Sequence, residues 1–267
     1  SSTRAYEEEQ DLTGFGAAQV KAEGAGIAYD TASEHYTARY THETIAMGFA
    51  ITEEAIEDNL YEALSARYTK ALARAMVHTR QTKGVFPLNN AFATTNFTAG
   101  DSAALCDSHT RADGGTLRNV LIVPTDLNET SLEQAVIDIA AFTDNRGLLI
   151  AAQAQRLIVH SYNQFTATRI LESDRRAGTA DNDLNALRTN GSISGGHFVN
   201  HYIAAANNKN WFIITDVPDG MKHFQRKAVE NGADGDFDTG NVRYKARERY
   251  SFGVSDYRGI FGSGAVT

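Results

Sequence analysis

Disulfides cannot staple this chain, because Cys106 is its only cysteine. The fold must rest on packing, which suits assembly in a reducing compartment. No apolar run approaches the roughly eighteen residues of a membrane-spanning helix. No charged-then-apolar stretch opens the chain as a secretory signal would. It begins at Ser1 without a methionine, which fits trimming or removal of a leader; the sequence does not choose between them. An excess of base is also missing. Lys plus Arg number 25 against 33 Asp plus Glu, a net charge of −8, whereas dedicated nucleic-acid binders are usually basic. There is no internal repeat and no low-complexity tract. What remains is an ordinary globular composition, 42 % hydrophobic and 22 % charged, long enough for one large core or two modest ones.

Chemistry-bearing motifs are absent as well. Asp234, Asp236 and Asp238 begin like a calcium loop, but Thr239 stands where its glycine is required and Lys245 where its last glutamate is. An acidic turn is the better reading, and Asp181 with Asp183 has the same status. The histidines (His35, His42, His78, His109, His160, His197, His201 and His223) are scattered. His197 and His201 fall in one expected strand and would face the same side, but no paired cysteines or His-Glu-x-x-His pattern joins them. Cys106 and His109 lack an orienting group for a nucleophilic dyad. No Gly-Lys-Ser/Thr follows Gly191, Gly195 and Gly196, so they make no phosphate loop. Ser192, Ser194 and His197 make no nucleophile elbow. We expect no catalytic residue, no metal ligand and no cofactor.

Two elongated elements are present. From Asn241 to Val254, even positions read Val, Tyr, Ala, Glu, Tyr, Phe, Val, and odd positions are mostly Arg and Lys. That alternation predicts a strand with one apolar and one cationic face, broken only by Glu248. At ~3.3 Å per residue it reaches roughly 45 Å. Tyr244, Tyr250 and Phe252 should be buried. Arg243, Lys245, Arg247 and Arg249 should pair with an acidic arm or with Glu53 and Glu57, or less favourably with DNA phosphates. Upstream, residues 52–83 read as one helix, capped by Thr52, acidic first and basic last. Ile56, Leu60, Leu64, Tyr68, Leu72, Ala75 and Thr79 form its stripe, Gly84 its stop, and Pro87 bars resumption. At ~1.5 Å per residue this rod is also roughly 45 Å. Without Leu/Ile heptads it should lie on a sheet, not in a coiled coil.

Elsewhere, Ser131 begins a helix ending near Gly147, and Asn163–Glu172 is another. Val120–Val123, Leu157–Val159, Phe198–Ala205 and Trp211–Thr215 are strand candidates, and residues 174–196 a loop. Residues 1–24 are polar and acidic, unable to fold alone.

Three stretches carry a resemblance: RYSFGVSDYRGIFGS (Arg249–Ser263), TDLNETSLEQAVIDIAAFTDNRG (Thr125–Gly147) and RILESDRRAGTADNDLNAL (Arg169–Leu187). In this order, and with the long helix and strand, they resemble the major capsid proteins of tailed bacteriophages over most of residues 45–263. The ending resembles the Mu-type major head subunit group. The resemblance implies an α+β Hong-Kong-97-type capsid fold. Its parts would be an N-terminal arm (1–24), an extended β-ribbon loop (25–50), a peripheral domain (51–127 and 236–267, with spine helix 52–83) and an α/β axial domain (128–235). It implies a structural, non-enzymatic protein that self-assembles as pentamers and hexamers into an icosahedral virion shell. The shell would form in the host bacterial cytoplasm and enclose double-stranded DNA, with portal and decoration proteins as further partners and no membrane. In heads of this fold an N-terminal scaffolding segment is often cleaved. An acidic inner wall would let DNA slide. The alternatives are an encapsulin-like nanocompartment shell protein and, distantly, a small cytosolic hydrolase.

Two expectations follow from the resemblance. Residues 1–24 should be ordered only against another subunit. Some shells of this kind are locked by isopeptide bonds from a lysine in the extended loop. The lysines here are Lys21, Lys70, Lys83, Lys209, Lys222, Lys227 and Lys245, none of them within 25–50. A non-covalent shell, and a single band near 29 kDa on denaturing gels, is therefore expected.

Overall fold

The computed structural model describes residues 2–58, 62–176 and 183–264. In chain order the elements are β1 (Tyr6–Leu12), β2 (Glu34–Thr41), β3 (Glu43–Ile51), α1 (Glu53–Glu57), α2 (Glu62–Asn89), β4 (Ser108–Thr110), β5 (Thr116–Arg118), α3 (Glu129–Ala140), β6 (Ala154–Val159), α4 (Gln164–Glu172), α5 (Ala186–Thr189), β7 (His197–Val199), β8 (Trp211–Thr215), β9 (Met221–Gly235), β10 (Val242–Val254) and β11 (Ile260–Ser263). The sheets are β1-β2, β3-β10-β9, β11-β8-β6-β7 and β4-β5. This is an α+β chain, and it divides into two compact units. One holds the residues up to Glu7, Arg39–Val85 and His223–Gly253; the other holds Glu8–Ala38, Phe86–Lys222 and Val254 onward.

In the first unit the alternating run is a 13-residue strand, β10, at the centre of its sheet. It runs antiparallel to β3, with Tyr244 opposite Phe49 and Glu248 opposite Ile45. Ala246, Glu248 and Tyr250 are buried, while Arg243, Lys245 and Arg247 are exposed. The alternation therefore reports the true faces. It ends at Ser251, because Tyr40 lies over Gly253 and covers the second face. The other neighbour, β9, is 15 residues long and has no counterpart in the sequence reading, which placed those residues in the 128–235 domain. Its mixture of Lys, His, Gln, Arg and Glu carries no period-two signal.

Helix α2 packs Leu72 and Met76 against Ala246, Ile45 and Phe49. The contact row is therefore 72-76-80, stepping by four, and differs from the expected stripe. Ile56 and Tyr68 are exposed. Leu60 and the side chain of Leu64 lie outside the described residues. Thr52 takes an extended N-cap conformation without a side-chain cap bond, and α1 closes at Asp58. The expected stop fails too, since α2 continues through Gly84 and Pro87 to Asn89. Proline removes one amide donor, a tolerable loss in a last turn whose end is held elsewhere. Asn207 Nδ2 donates to the Asn89 carbonyl at 2.8 Å, and Ala204 N donates to Asn89 Oδ1 at 2.9 Å. Gly84 faces the Phe252 ring, and a Cβ there would meet it at 3.4 Å, close to ordinary contact. Gly84→Ala should therefore raise stability by about 0.5–1 kcal/mol through helix propensity, read from denaturant unfolding.

The second unit has the larger core. Leu132, Ala135 and Ile139 of α3 and Ala167 of α4 pack on Leu157, Val159, Trp211, Ile213 and Phe261 of the four-stranded sheet. Helix α3 starts earlier than expected, because Asn128 and Ser131 form a reciprocal capping box, and ends at Ala140. Beyond it Phe142 is buried and Gly147 turns the chain at φ 82°. Strand β7 covers only His197–Val199, so the expected strand to Ala205 is mostly turn.

The arm and ribbon also differ from expectation. Residues 2–13 pack on their own chain. Strand β1 pairs with β2, and buried Ser2 bonds His42. β3 pairs not with β2 but with β10, so 25–50 is not a self-paired ribbon. The exposed excursion is residues 14–33, joining β1 to β2, and almost every side chain in it faces solvent. It carries Lys21, which removes the premise of the argument from lysine positions.

Candidate functional surfaces

Asp236 accepts from Thr239 Oγ1 at 2.7 Å and pairs with Arg243, shaping the β9–β10 turn, where Gly240 has φ 65°. Asp234 and Asp238 stay exposed. Asp181 lies outside the described residues, and the Asp183 carbonyl accepts from Arg176 N at 3.0 Å. Cys106 is buried, and burial pushes its thiol far above the usual range, which makes it a poor nucleophile. His109 stacks on Tyr257 with centroids 3.8 Å apart, and its Nδ1 lies 2.6 Å from Asp101 Oδ2. His197 sits 3.3 Å from Thr168 Oγ1, and His201 is in the turn beyond β7, so the two do not share a strand face. Gly195 N donates to the Gln155 carbonyl at 2.7 Å, so that glycine turn packs on β6. Ser192 N donates to Leu187 O in the same turn. Among the described residues no group of three His, Cys, Asp or Glu is arranged to hold a metal, and no helix is long and apolar enough to cross a membrane.

The cationic face of β10 does not pair with Glu53 or Glu57 among the described residues. Arg243 pairs within its own hairpin, and Lys245 and Arg247 project into solvent. What the sequence did not reveal is the partner of Glu248. Its side chain is 1 % exposed and pairs with Arg80, the next step of the α2 contact row. The signal was present in a lone acid on an apolar face and a helix arginine one turn beyond Met76.

The C-terminal motif is a buried clasp. Asp256 caps the turn by accepting from Arg258 N at 2.8 Å. The Arg258 guanidinium, 4 % exposed, donates to the Thr143 carbonyl at 2.9 Å, to Asp256 Oδ1 at 3.2 Å and to Asn145 Oδ1 at 2.5 Å. Asn119 Nδ2 donates to the carbonyls of Leu105, Tyr257 and Ile260. Gly220 and Gly259 touch backbone to backbone, and a Cβ on Gly220 would come within 2.9 Å of the Gly259 Cα. The partners outside the motif, Leu105, Asn119, Thr143, Asn145 and Gly220, are not visible in it.

A second buried polar chain holds the start of the protein. His42 is 5 % exposed, with Nε2 at 2.8 Å from Ser2 Oγ and Nδ1 at 3.1 Å from Ser251 Oγ. Desolvation lowers its pKa, against Glu7, which raises it, and together with Arg249 and Arg226. Burial also lowers that of His223, stacked on Phe252. Groups depressed on folding support stability above their ordinary value near 6.5, and that support is lost as pH falls below it. The thermal midpoint should therefore drop between about pH 6.5 and 5. The drop should be smaller in a His42→Gln, His223→Gln double variant; an equal drop refutes the assignment.

Among the described residues the four most exposed large apolar side chains, Phe237, Val20, Tyr29 and Ile122, lie on loops. Residues 14–33 expose Phe15, Val20, Ile27 and Tyr29, the last at 94 %. The β9–β10 tip exposes Phe237 completely.

The family described as phage capsid protein matches this sequence over residues 35–263. No curated protein sequence matches. Among solved structures, the capsid of Myoviridae phage XM1 superposes with a TM-score of 0.57 at 12 % identity, covering 98 % of this chain and 86 % of that one. The capsid of cyanophage P-SCSP1u gives 0.59 at 10 % identity, with 100 % and 85 % covered. The virus-like particle from Pyrococcus furiosus gives 0.58 at 10 % identity, with 98 % and 87 % covered. At these identities the likeness is one of fold.

Proposed function

The chain belongs to the phage capsid protein family, structural proteins of the virion shell, and from that premise we propose how it builds one. It is the major subunit of a tailed-phage head, repeated as pentamers and hexamers of an icosahedral shell around double-stranded DNA, assembled in the host cytoplasm. The unit with α2 and the long strands acts as the peripheral domain, and the unit with the four-stranded sheet as the axial domain. The β1–β2 excursion serves as the extended loop. It has no catalytic duty: Cys106 is sealed in and His109 is occupied by Asp101 and Tyr257. Portal and decoration proteins are its further partners. The net charge of −8 favours loose contact with DNA.

The observation that carries this reading is residues 14–33. A twenty-residue connection with Val20 and Tyr29 almost wholly exposed is tied to its own subunit near its end, where Arg146 pairs with Asp30, yet leaves those apolar side chains uncovered. Long loops of this kind are usually functional, and exposed apolar groups mark contact sites. A neighbouring subunit gives these side chains a place to be buried.

Negative-stain microscopy tests the reading. The purified chain should form hollow particles. A variant with residues 15–32 replaced by a short Asn-Gly turn should keep its circular dichroism spectrum and form none. If the full chain remains a small oligomer under all assembly conditions, the reading is wrong. Nuclease-protected DNA inside virions separates a phage head from an enzyme compartment.

A further inference from the structure

The tip of the β9–β10 hairpin and a groove on the same unit have matching properties. Phe237 is 102 % exposed, so it makes no contact with its own chain. Asp234 and Asp238 flank it, exposed and without an ion pair among the described residues. The groove has a volume of about 190 Å³ and is lined by Phe49, Leu72, Tyr244, Gly232, Ala233 and Lys245, among others. Its walls are mainly apolar, with Phe49 and Tyr244 stacked at 4.9 Å. Lys245 on its wall is exposed and likewise without an ion pair among the described residues.

We propose that Phe237 of one copy inserts into this groove of a second copy, with Asp234 and Asp238 meeting Lys245. This rests on the shell-building reading above and adds to it the residues of one contact. Size supports it, because apolar cavities of about 150 Å³ take up benzene, the ring that phenylalanine carries. Charge supports it, since exposed Asp234 and Asp238 lie close to the ring and Lys245 lies on the groove wall. Such a contact draws on different patches of the two copies. It is therefore heterologous, and repeated by rotation it closes a ring of subunits. A buried aromatic anchor within a charged rim is also the usual anatomy of an interface hot spot.

Cysteine cross-linking tests the contact while leaving the ring in place. In assembled particles of the Lys245→Cys, Asp238→Cys double variant, mild oxidation should give disulfide-linked multimers of the 29.0-kDa chain on non-reducing gels. Each single variant should give none, since Cys106 is buried and the chain has no other thiol. Phe237→Ala should leave the melting curve of the unassembled subunit unchanged and lower particle yield at least about tenfold, as loss of an anchor does. Cross-linking by Asp238→Cys alone would overturn the proposal in favour of tips meeting one another. Wild-type particles combined with no cross-link in the double variant would overturn it and leave the shell reading intact. A wild type that forms no particles would overturn both.

Discussion

Arg80→Ala should destabilise the subunit by about 3–5 kcal/mol, and more than Glu248→Ala does. The asymmetry comes from burial. Glu248 is 1 % exposed, sandwiched between the central strand and α2, whereas the Arg80 side chain is 32 % exposed. Removing the arginine leaves a carboxylate in an apolar layer without its ion-pair partner. Removing the glutamate leaves a guanidinium that needs only a rotamer change to reach water. Glu248 Oε1 and Arg80 Nε already lack hydrogen-bond partners, so the pair is not fully compensated. An Arg80→Met, Glu248→Leu double variant should accordingly be neutral or more stable than wild type by about 1–4 kcal/mol. Chemical denaturation of unassembled subunits reads all three. Equal losses in the two single variants would show that the carboxylate finds water, and the burial argument would fail.

Arg258→Ala should also cost about 3–5 kcal/mol, through a different set of partners. It strands the Asp256 carboxyl and Asn145 Oδ1 and frees the Thr143 carbonyl. Lysine should rescue little, since one ammonium cannot span three acceptors that the planar guanidinium reaches together. The loss should depend on pH with a definite sign. Burial raises the Asp256 pKa even with Arg258 opposing it. Without that cation it rises further. A carboxyl raised on folding contributes stability below its ordinary pKa and loses it as pH rises through the folded value. The defect of Arg258→Ala should therefore shrink as pH is lowered from 7 toward 5. A defect independent of pH would place the damage elsewhere in the clasp.

These two sites show where the sequence was legible. Alternation along Val242–Val254 is set by the two-residue period of an extended chain, so it revealed the face on which Ala246, Glu248 and Tyr250 are buried, while Tyr244 and Phe252, also expected to be buried, are half-buried. Glu248 stood out as the one break in that face. Its partner was written on α2 as Arg80, four residues past Met76, but only once the contact row was known to step 72-76-80. The expected row shared Leu72 with it but continued to Ala75 and Thr79, and the choice of Met76 and Arg80 instead is made by the sheet beneath. For the same reason Gly84 and Pro87 read as a stop while the helix passes through both. Local propensity disfavours them, but Asn207 and Ala204, more than a hundred residues away, hold the helix end at Asn89. The clasp was least legible: RYSFGVSDYRGIFGS supplies Asp256 and Arg258 but nothing of Asn119, Asn145 or Thr143.

The sequence by itself determined the period-two strand, the long helix and the order of motifs that carries the family. Each is a property of neighbouring residues, set by backbone geometry or by the chemistry of side chains within a few positions. Only the tertiary structure decided that β9 flanks β10, that β2 and β3 part to different partners, and that the exposed excursion is 14–33. Strand pairing uses backbone groups common to every residue, so polar strands such as β9 leave no mark of their partners in the sequence. Burial at Glu248, Arg258 and His42 was likewise decided by distant segments closing over them.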